Sequence, residues 1–427
     1  MPMVKLQLLG FLLISCLTIS GQSLFPGAEG YGAFGRGAYG GDRLPQLVVV
    51  SNLNDTGPGS LRAALNKDFP RIIVFEVAGV IELKRRIRVL SPYVMVAGQT
   101  APYPGITIKN WSLSLGTHDV LIQCVKVRTG LESGRQIDGI NIADNPQKVY
   151  NVMIDHCSVS WGLDENIGVL KGGKGICISH CIIAEALDYF DHSCGLLAMD
   201  TEEISIIKNL FIHNSDRNPL VRGDTKKAIV VNNLVYNCDS HAIYFGTPGQ
   251  QRKGMQIAAL NNFYEPGAEN RNQYIISISP EIVLQSKIFL DGNMTGHYFA
   301  GKPSHRVLVH NPGKRTVITN KVPLKYPEFN LIEVQEIEKY LLKNCGAFPN
   351  QRDPIDNRLI AEMINRKGKR IVNPQEVGGW DMTTNNHVLD FPVNLHADDD
   401  EDGFTNLEEW LNALINKGCD SVNSFSF

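Results

Sequence analysis

Ile154-Asp155-His156-Cys157 returns as Ile178-Ser179-His180-Cys181, from position 154 to position 178, an interval of 24 residues. Lys208-Asn209-Leu210-Phe211 returns in the same way as Asn232-Asn233-Leu234-Val235, again 24 residues on, and Asn261-Asn262-Phe263 follows 29 residues after that. Short apolar runs that recur at intervals in the twenties, each closed by a turn, are the signature of a solenoid in which one repeat makes one coil. A coil of this length suits three short strands per turn, so the chain reads as all-β, a right-handed single-stranded parallel β-helix. Equivalent positions then stack, which sets His156 and Cys157 beside His180 and Cys181. The stacked Cys and Asn residues read as an internal ladder rather than a site, and Asp155 with His156 as a buried hydrogen-bonded pair of the scaffold.

The same texture extends in both directions. β-Branched runs at 47–50, 72–76, 106–108, 120–127, 152–159, 176–183, 204–212, 228–235 and 255–260 are separated by turn residues. One early amphipathic stretch, 59–65, reads as a helix. The 427 residues are 43% hydrophobic and 20% charged, which excludes disorder, and 39 glycines favour a turn-rich β design. A net charge of −3 gives no basic footprint, so nucleic acid is not an expected partner. After residue 325 the texture changes: 333–343 and 357–365 look helical, and 373–379 is a Gly/Pro-containing connection. The solenoid is assigned to 24–325, an arm packed along it to 326–390, and a metal loop with a terminal helix to 391–427.

Residues 1–21 read as a secretory signal, with Lys5 as the charged start, 6–14 as the apolar stretch and Ser20 and Gly21 as small residues at its end. The stretch is too short to span a bilayer, and no other apolar run is long enough. Leu13-Ile14-Ser15-Cys16 also matches a bacterial lipoprotein box, leaving two readings: simple cleavage, or lipidation at Cys16 with an outer-membrane location. Either places the protein outside the cytoplasm, secreted or periplasmic. The remaining cysteines, at 124, 157, 177, 181, 194, 238, 345 and 419, are irregularly spaced, and Cys177-x3-Cys181 lacks a second pair for zinc. Buried thiols with an occasional disulfide are expected.

The tail carries a sharp metal signal. Asp398, Asp400, Asp402, Gly403, Asn406 and Glu409 occupy positions 1, 3, 5, 6, 9 and 12 of an EF-hand-like loop. Oxygen donors alternate, the glycine permits the turn, and the last Glu can close a calcium shell. The competing reading is an acidic helix-capping run.

Within the solenoid, acids and arginines fall on successive coils: Asp138, then Asp164-Glu165, then Asp191-His192, then Arg217-Asn218-Pro219-Leu220-Val221-Arg222. Hard carboxylates beside guanidinium groups suit calcium and an anionic sugar acid. Residues five apart on an extended segment face opposite sides, so Arg217 and Arg222 need a bend to share a site.

This pattern resembles the pectate lyase superfamily, family 1 of the polysaccharide lyases, in its secreted bacterial branch. Phe25-Pro26-Gly27-Ala28-Glu29-Gly30-Tyr31-Gly32, Asn52-Leu53-Asn54-Asp55-Thr56-Gly57-Pro58-Gly59-Ser60-Leu61-Arg62, Ala97-Gly98-Gln99-Thr100-Ala101-Pro102 and the tail from Gly403 to Asn412 carry the resemblance too. It implies calcium-assisted β-elimination on a uronic-acid polymer such as pectate, by a monomer. Asp138 and Glu165 match calcium ligands, Arg217 the proton-abstracting base, and Arg222 the arginine that holds a substrate carboxylate. A free guanidinium does not deprotonate near neutrality, so an arginine base needs calcium and nearby cations to depress its pKa, or an alkaline pH optimum, and the latter is expected. Two positions depart from the pattern. Val169 stands where a further acid is often found, leaving Asp164 as its replacement. A lysine is missing before the next coil, leaving His192 for substrate binding, or the role absent.

Two other functions compete. A β-helix glycoside hydrolase needs carboxylates flanking the scissile bond with an ordered water, and polygalacturonase-like chains show Asn-Thr-Asp, Asp-Asp and Gly-His-Gly in series, which this sequence lacks. A non-catalytic glycan-binding solenoid remains compatible with the two departures.

Overall fold

The structure, a computed structural model, describes residues 22–143, 149–246, 252–267, 274–296, 309–310, 316–327 and 329–416. Its strands form three sheets that run the length of a parallel β-helix. Among the described residues the first sheet has 11 strands, from Gln46–Val50 to Ile318–Thr319. The second has 9, from Ile87–Val89 to Val309–His310, and the third has 10. The repeat read from the sequence is the register itself. Ile154 pairs with Ile178, Ile178 with Ile206, and Ile206 with Val230. All four side chains are fully buried in one continuous core column. Each contributes roughly 1.5–3 kcal/mol by leaving water.

Several runs that look continuous in sequence are two strands each. The run 152–159 breaks between Tyr150–Asp155 and Ser158–Ser160, and 176–183 between Lys174–Ser179 and Ile182–Ala184. The reason is a corner residue in the left-handed region. Cys124, His156, His180, Lys208, Asn232 and Asn261 hold φ between 45° and 56° at the same corner of successive coils. Asn and His tolerate this conformation better than most side chains.

One residue beyond that corner runs the ladder. Asn209, Asn233, Asn262 and Asn293 stack in line, each backbone N–H and Nδ2 donating to the next Oδ1 at 2.8–3.1 Å. Their second Nδ2 hydrogens go to carbonyls of the adjacent coil, as from Asn233 to Ile206 at 2.8 Å. His156 and His180 stack with centroids 4.7 Å apart. All seven described cysteines are free and buried. Cys16 and Cys419 lie outside the described residues.

Two of the three outer faces are covered. The helix α1 (Leu61–Leu65) caps the first end of the core. The first sheet is covered by the N-terminal segment and by a C-terminal helix, through Leu24, Ala38, Leu407 and Leu411. Gly32 lies so close that a Cβ there would sit 2.9 Å from the Cys177 side chain, which explains the glycine-rich opening motif. The third sheet is covered by helices α2 (Ile337–Asn344) and α3 (Pro354–Ile364), through Ile337, Leu341, Leu359 and Met363. The short strand Asn385–Asn386 extends that sheet antiparallel to Val77–Glu82.

Helix α3 begins at Pro354, three residues before the start expected from periodicity. Asp353 caps it, accepting from Asp356 N, with Pro354 in its first turn. The same Asp353, with Asp356, receives the fully buried Arg128 at 2.5 and 2.7 Å. This fastens the arm to the solenoid through a buried ion pair, costly to break from one side.

Among the described residues, the helices that cover the other two sheets leave the second without a helical layer, although Ser114, Leu197 and Leu220 on its outward side are still buried. Its outward column reads Arg88, Ser114, Asn141, Gly168, Leu197, Leu220 and Tyr244, each in register with the next. The site stands on this face.

Candidate active site

Asp138 and Glu165 sit in equivalent places, each two residues before paired Ile140 and Ile167 of the second sheet. Asp164 lies beside them, and the three carboxylates bring oxygens within 4.8 Å of one another. Asp138 is buried, accepting from Asn141 Nδ2 at 2.5 Å and from the Glu165 backbone N–H at 3.2 Å. Burial first, then the adjacent Glu165 charge, push its carboxyl well above the usual carboxylate range.

Cations close the cluster from the other side. Arg217 Nη1 donates to Glu165 Oε1. His192 Nε2 lies 2.7 Å from Asp164 Oδ1 and 3.7 Å from Glu165 Oε1. Hydrogen bonding to Asp164, then to Cys194 and Glu165, pushes the His192 imidazole up to about 12. The hydrogen bond with His192 is in turn the main cause that lowers Asp164. The sequence suggested His192 for substrate binding; here it is seated on two of the expected calcium ligands.

Between the two arginines the chain turns through Arg217, at φ 60°, and a cis Asn218–Pro219 peptide before the strand Leu220–Arg222. Burial works against the charge on Arg217, but Cys194, Glu165 and Asp216 outweigh it and hold the guanidinium above the usual arginine range. Arg222 is moved the other way, by burial and then by the charge of Arg217.

Val169 is fully buried in the solenoid core. An acid placed there would point away from the cluster. The outward neighbour is Gly168, where a Cβ would overlap Asp138 Oδ2. Asn141 and Gly168, which hold and admit Asp138, escaped the sequence reading. Period-two alternation in Ile140–Ile142 was the available signal, since it turns Asn141 outward. Asp155 is satisfied by Gln123 Nε2 at 3.0 Å, Ser179 Oγ at 2.8 Å and His156 Nδ1 at 2.8 Å, on the first sheet and away from this cluster.

The C-terminal loop separates its two candidate tasks. Thr405 and Glu408 form a reciprocal cap on α4 (Asn406–Asn416), at 2.9 and 3.3 Å. Asp398, Asp400 and Asp402 gather their oxygens within 4.8 Å across the turn at Gly403, φ 97°. Slight desolvation and then the charges of Asp400, Asp402 and Asp398 raise the Glu409 carboxyl. The Asn406 Nδ2 donates to Asp399 Oδ2 at 2.9 Å.

Comparison with known proteins bears on this arrangement. No protein-family profile matches the chain. A probable pectate lyase C of Aspergillus flavus is 31% identical over 440 aligned positions, covering 94% of this chain and 97% of that protein. The chain belongs to the pectate lyase family. A probable pectate lyase C of Emericella nidulans is also 31% identical, over 98% of this chain and 99% of its own. The fold agrees with that of the cedar pollen allergen Jun a 1 (TM-score 0.54, 19% identity, 75% and 92% of the two chains). It agrees equally with a pectate lyase bound to a hexasaccharide (TM-score 0.53, 14% identity, 78% and 99% of the two chains). No described helix of this pectate lyase family member is long and apolar enough to cross a membrane.

Proposed function

We propose that this protein cleaves a uronic-acid polymer, pectate in the first place, by calcium-assisted β-elimination. The observation that carries the reading is the cluster itself: three carboxylates within 4.8 Å, with Arg217 donating to one of them, on the second sheet. The donor set fits calcium, because its side chains are hard oxygens and Asp138 is held in a buried place where a carboxylate needs a compensating charge. Asp138, Asp164 and Glu165 would hold the ion, which would supply Lewis-acid charge beside a substrate carboxylate and so acidify the proton on the adjacent carbon.

Arg217 takes the C5 proton. The C5–H electron pair becomes the C4–C5 double bond, the C4–O bond breaks, and the departing oxygen takes up a proton. No water is consumed. A guanidinium takes a proton only from its neutral form, so the rate rises toward alkaline pH. Arg222 supplies a bidentate donor for a second carboxylate. His192 offsets the charge of Asp164. Asp398, Asp400, Asp402, Asn406 and Glu409 would hold a second, structural calcium ion, Asn406 through its Oδ1, because the hydrogen bonds it makes use Nδ2 alone. Secretion and a monomeric state complete the reading.

Incubation with polygalacturonate and calcium tests it. Ultraviolet absorbance from the unsaturated product, lost on chelation, supports elimination. New reducing ends without that absorbance mean hydrolysis. Retention of the polymer with neither product means a binding protein, a reading favoured by the pairing of Arg217 with Glu165, which stabilises the charged guanidinium.

A further inference from the structure

The edge that carries the acids continues beyond them toward the start of the solenoid. Ile87 pairs with Leu113, Leu113 with Ile140, and Ile140 with Ile167. Two residues before each lie, in order, Arg85, Trp111, Asp138 and Glu165. The coils thus align an arginine, a half-buried tryptophan and two site acids along one edge. Lys84, Arg85 and Arg86 are all exposed in the turn that opens the first of these coils. Arg88, also exposed, heads the outward column that runs through Ser114 and Asn141 to Gly168.

The turn is built rather than loose. Buried Arg62 donates to the Arg86 carbonyl at 2.9 Å and to the Arg85 carbonyl at 2.7 Å, and it is itself held by Asp55. The backbone is therefore fixed from below while the side chains project outward. With strands about 4.8 Å apart, Arg85 stands roughly 10 Å from Asp138 and roughly 14 Å from Glu165. One coil spacing is comparable to the length of one linked pyranose, so carboxylates of successive sugars can meet successive coils.

We propose that Lys84, Arg85, Arg86 and Arg88 form a remote cationic extension of the substrate groove, which grips uronate carboxylates two to four sugars from the reacting one, with Trp111 beneath the intervening ring. This rests on the lyase reading of the acid cluster. The extension engages long polymers and does nothing for a substrate too short to reach it. It gives this chain a length preference expressed in KM, and a salt sensitivity that grows with substrate length.

The test compares polygalacturonate with its trimer on the full-length protein and on an Arg85→Ala/Arg86→Ala/Arg88→Ala variant. The backbone carbonyls that Arg62 holds survive these changes, and an unchanged melting temperature verifies the fold. The expected result is a rise of about tenfold in KM for the polymer, with kcat and the trimer KM within about twofold of the parent, and a flatter salt dependence. An unchanged polymer KM and salt dependence overturns the proposal, as does an equal loss on polymer and trimer. Should the parent protein cleave neither substrate, the lyase reading fails, and retardation in gels containing polygalacturonate decides the extension alone. Retardation of the parent but not of the variant supports it, and equal retardation overturns it.

Discussion

Arg217 Nη1 donates to Glu165 Oε1 across the strand Cys194–Met199 that separates their coils. The proposed base and a proposed calcium ligand are thus one ion pair, with Glu165 buried and Arg217 only 19% exposed. Replacing Arg217 by Lys keeps a cation beside Glu165 but changes its reach and geometry. The expected outcome is a fall of roughly 10²–10⁴ in kcat, with KM changed little, read from unsaturated-product formation. A variant that retained parental kcat would remove Arg217 from the mechanism.

Gly168 has no room for a side chain, because a Cβ there would overlap Asp138 Oδ2. Its φ is not in the left-handed region, so Gly168→Ala acts through that overlap alone. The variant is expected to fold and to need about 10–100 times more calcium for half-maximal rate, the usual loss when a ligand's support is disturbed. Calcium titration of the initial rate measures it.

Chelation should act in two ways that mutation separates. Asp138→Asn is expected to abolish the calcium response of the rate while leaving thermal stability within about 1 kcal/mol of the parent. Glu409→Gln is expected to lower the melting temperature gained on adding calcium and to leave kcat unchanged. Calorimetry with and without calcium, beside rate measurements, distinguishes the two sites. A parental calcium response in both variants would sink both assignments.

Asn233 lies mid-ladder, accepting two hydrogen bonds from Asn209 at 3.0 Å and donating to Ile206 and Asn262. Asn233→Ala leaves several fully buried groups without partners, at about 1–3 kcal/mol each. A destabilisation of roughly 3 kcal/mol or more is expected in denaturant unfolding. A loss below about 1 kcal/mol would mean that the ladder is ornamental to stability.

Acid should loosen the corner where the N-terminal segment, the solenoid and the arm meet. Burial would raise the Asp155 carboxyl, but His156 and His180 hold it far below the carboxylate range. Burial lowers His180. Both folded values lie below the unfolded ones, near 3.9 for Asp and 6.5 for His. The stability they contribute is present above those values and is lost as pH falls, first below about 6.5 and then below about 4. Melting temperature measured against pH should decline over that window, and His180→Gln should flatten its upper part.

The coil architecture was legible because one residue pattern, Ile154 to Cys157, reappears as actual register at Ile178 to Cys181. The breaks within runs were not, because the left-handed corners at His156 and His180 use residues that also suit strands and sites. Asp138, Glu165 and Arg217 were legible through their chemistry and order. Their partners were not: His192 seated on Asp164, and Asn141 on Asp138, depend on how turns of different coils approach in space. Val169 shows the converse. Alternation along its strand turns that position into the core, where an acid would not face the cluster. The start of α3 is also written in the sequence, in Asp353 as cap and Pro354 as first turn, but apolar periodicity alone does not reach it.

The segments at both ends of the described chain lie on the first sheet, where Gln22 donates to the Gly403 carbonyl and Leu24 and Leu411 share one hydrophobic layer. A chain tethered to a support through either end would therefore hold its acid-bearing sheet clear of the attachment.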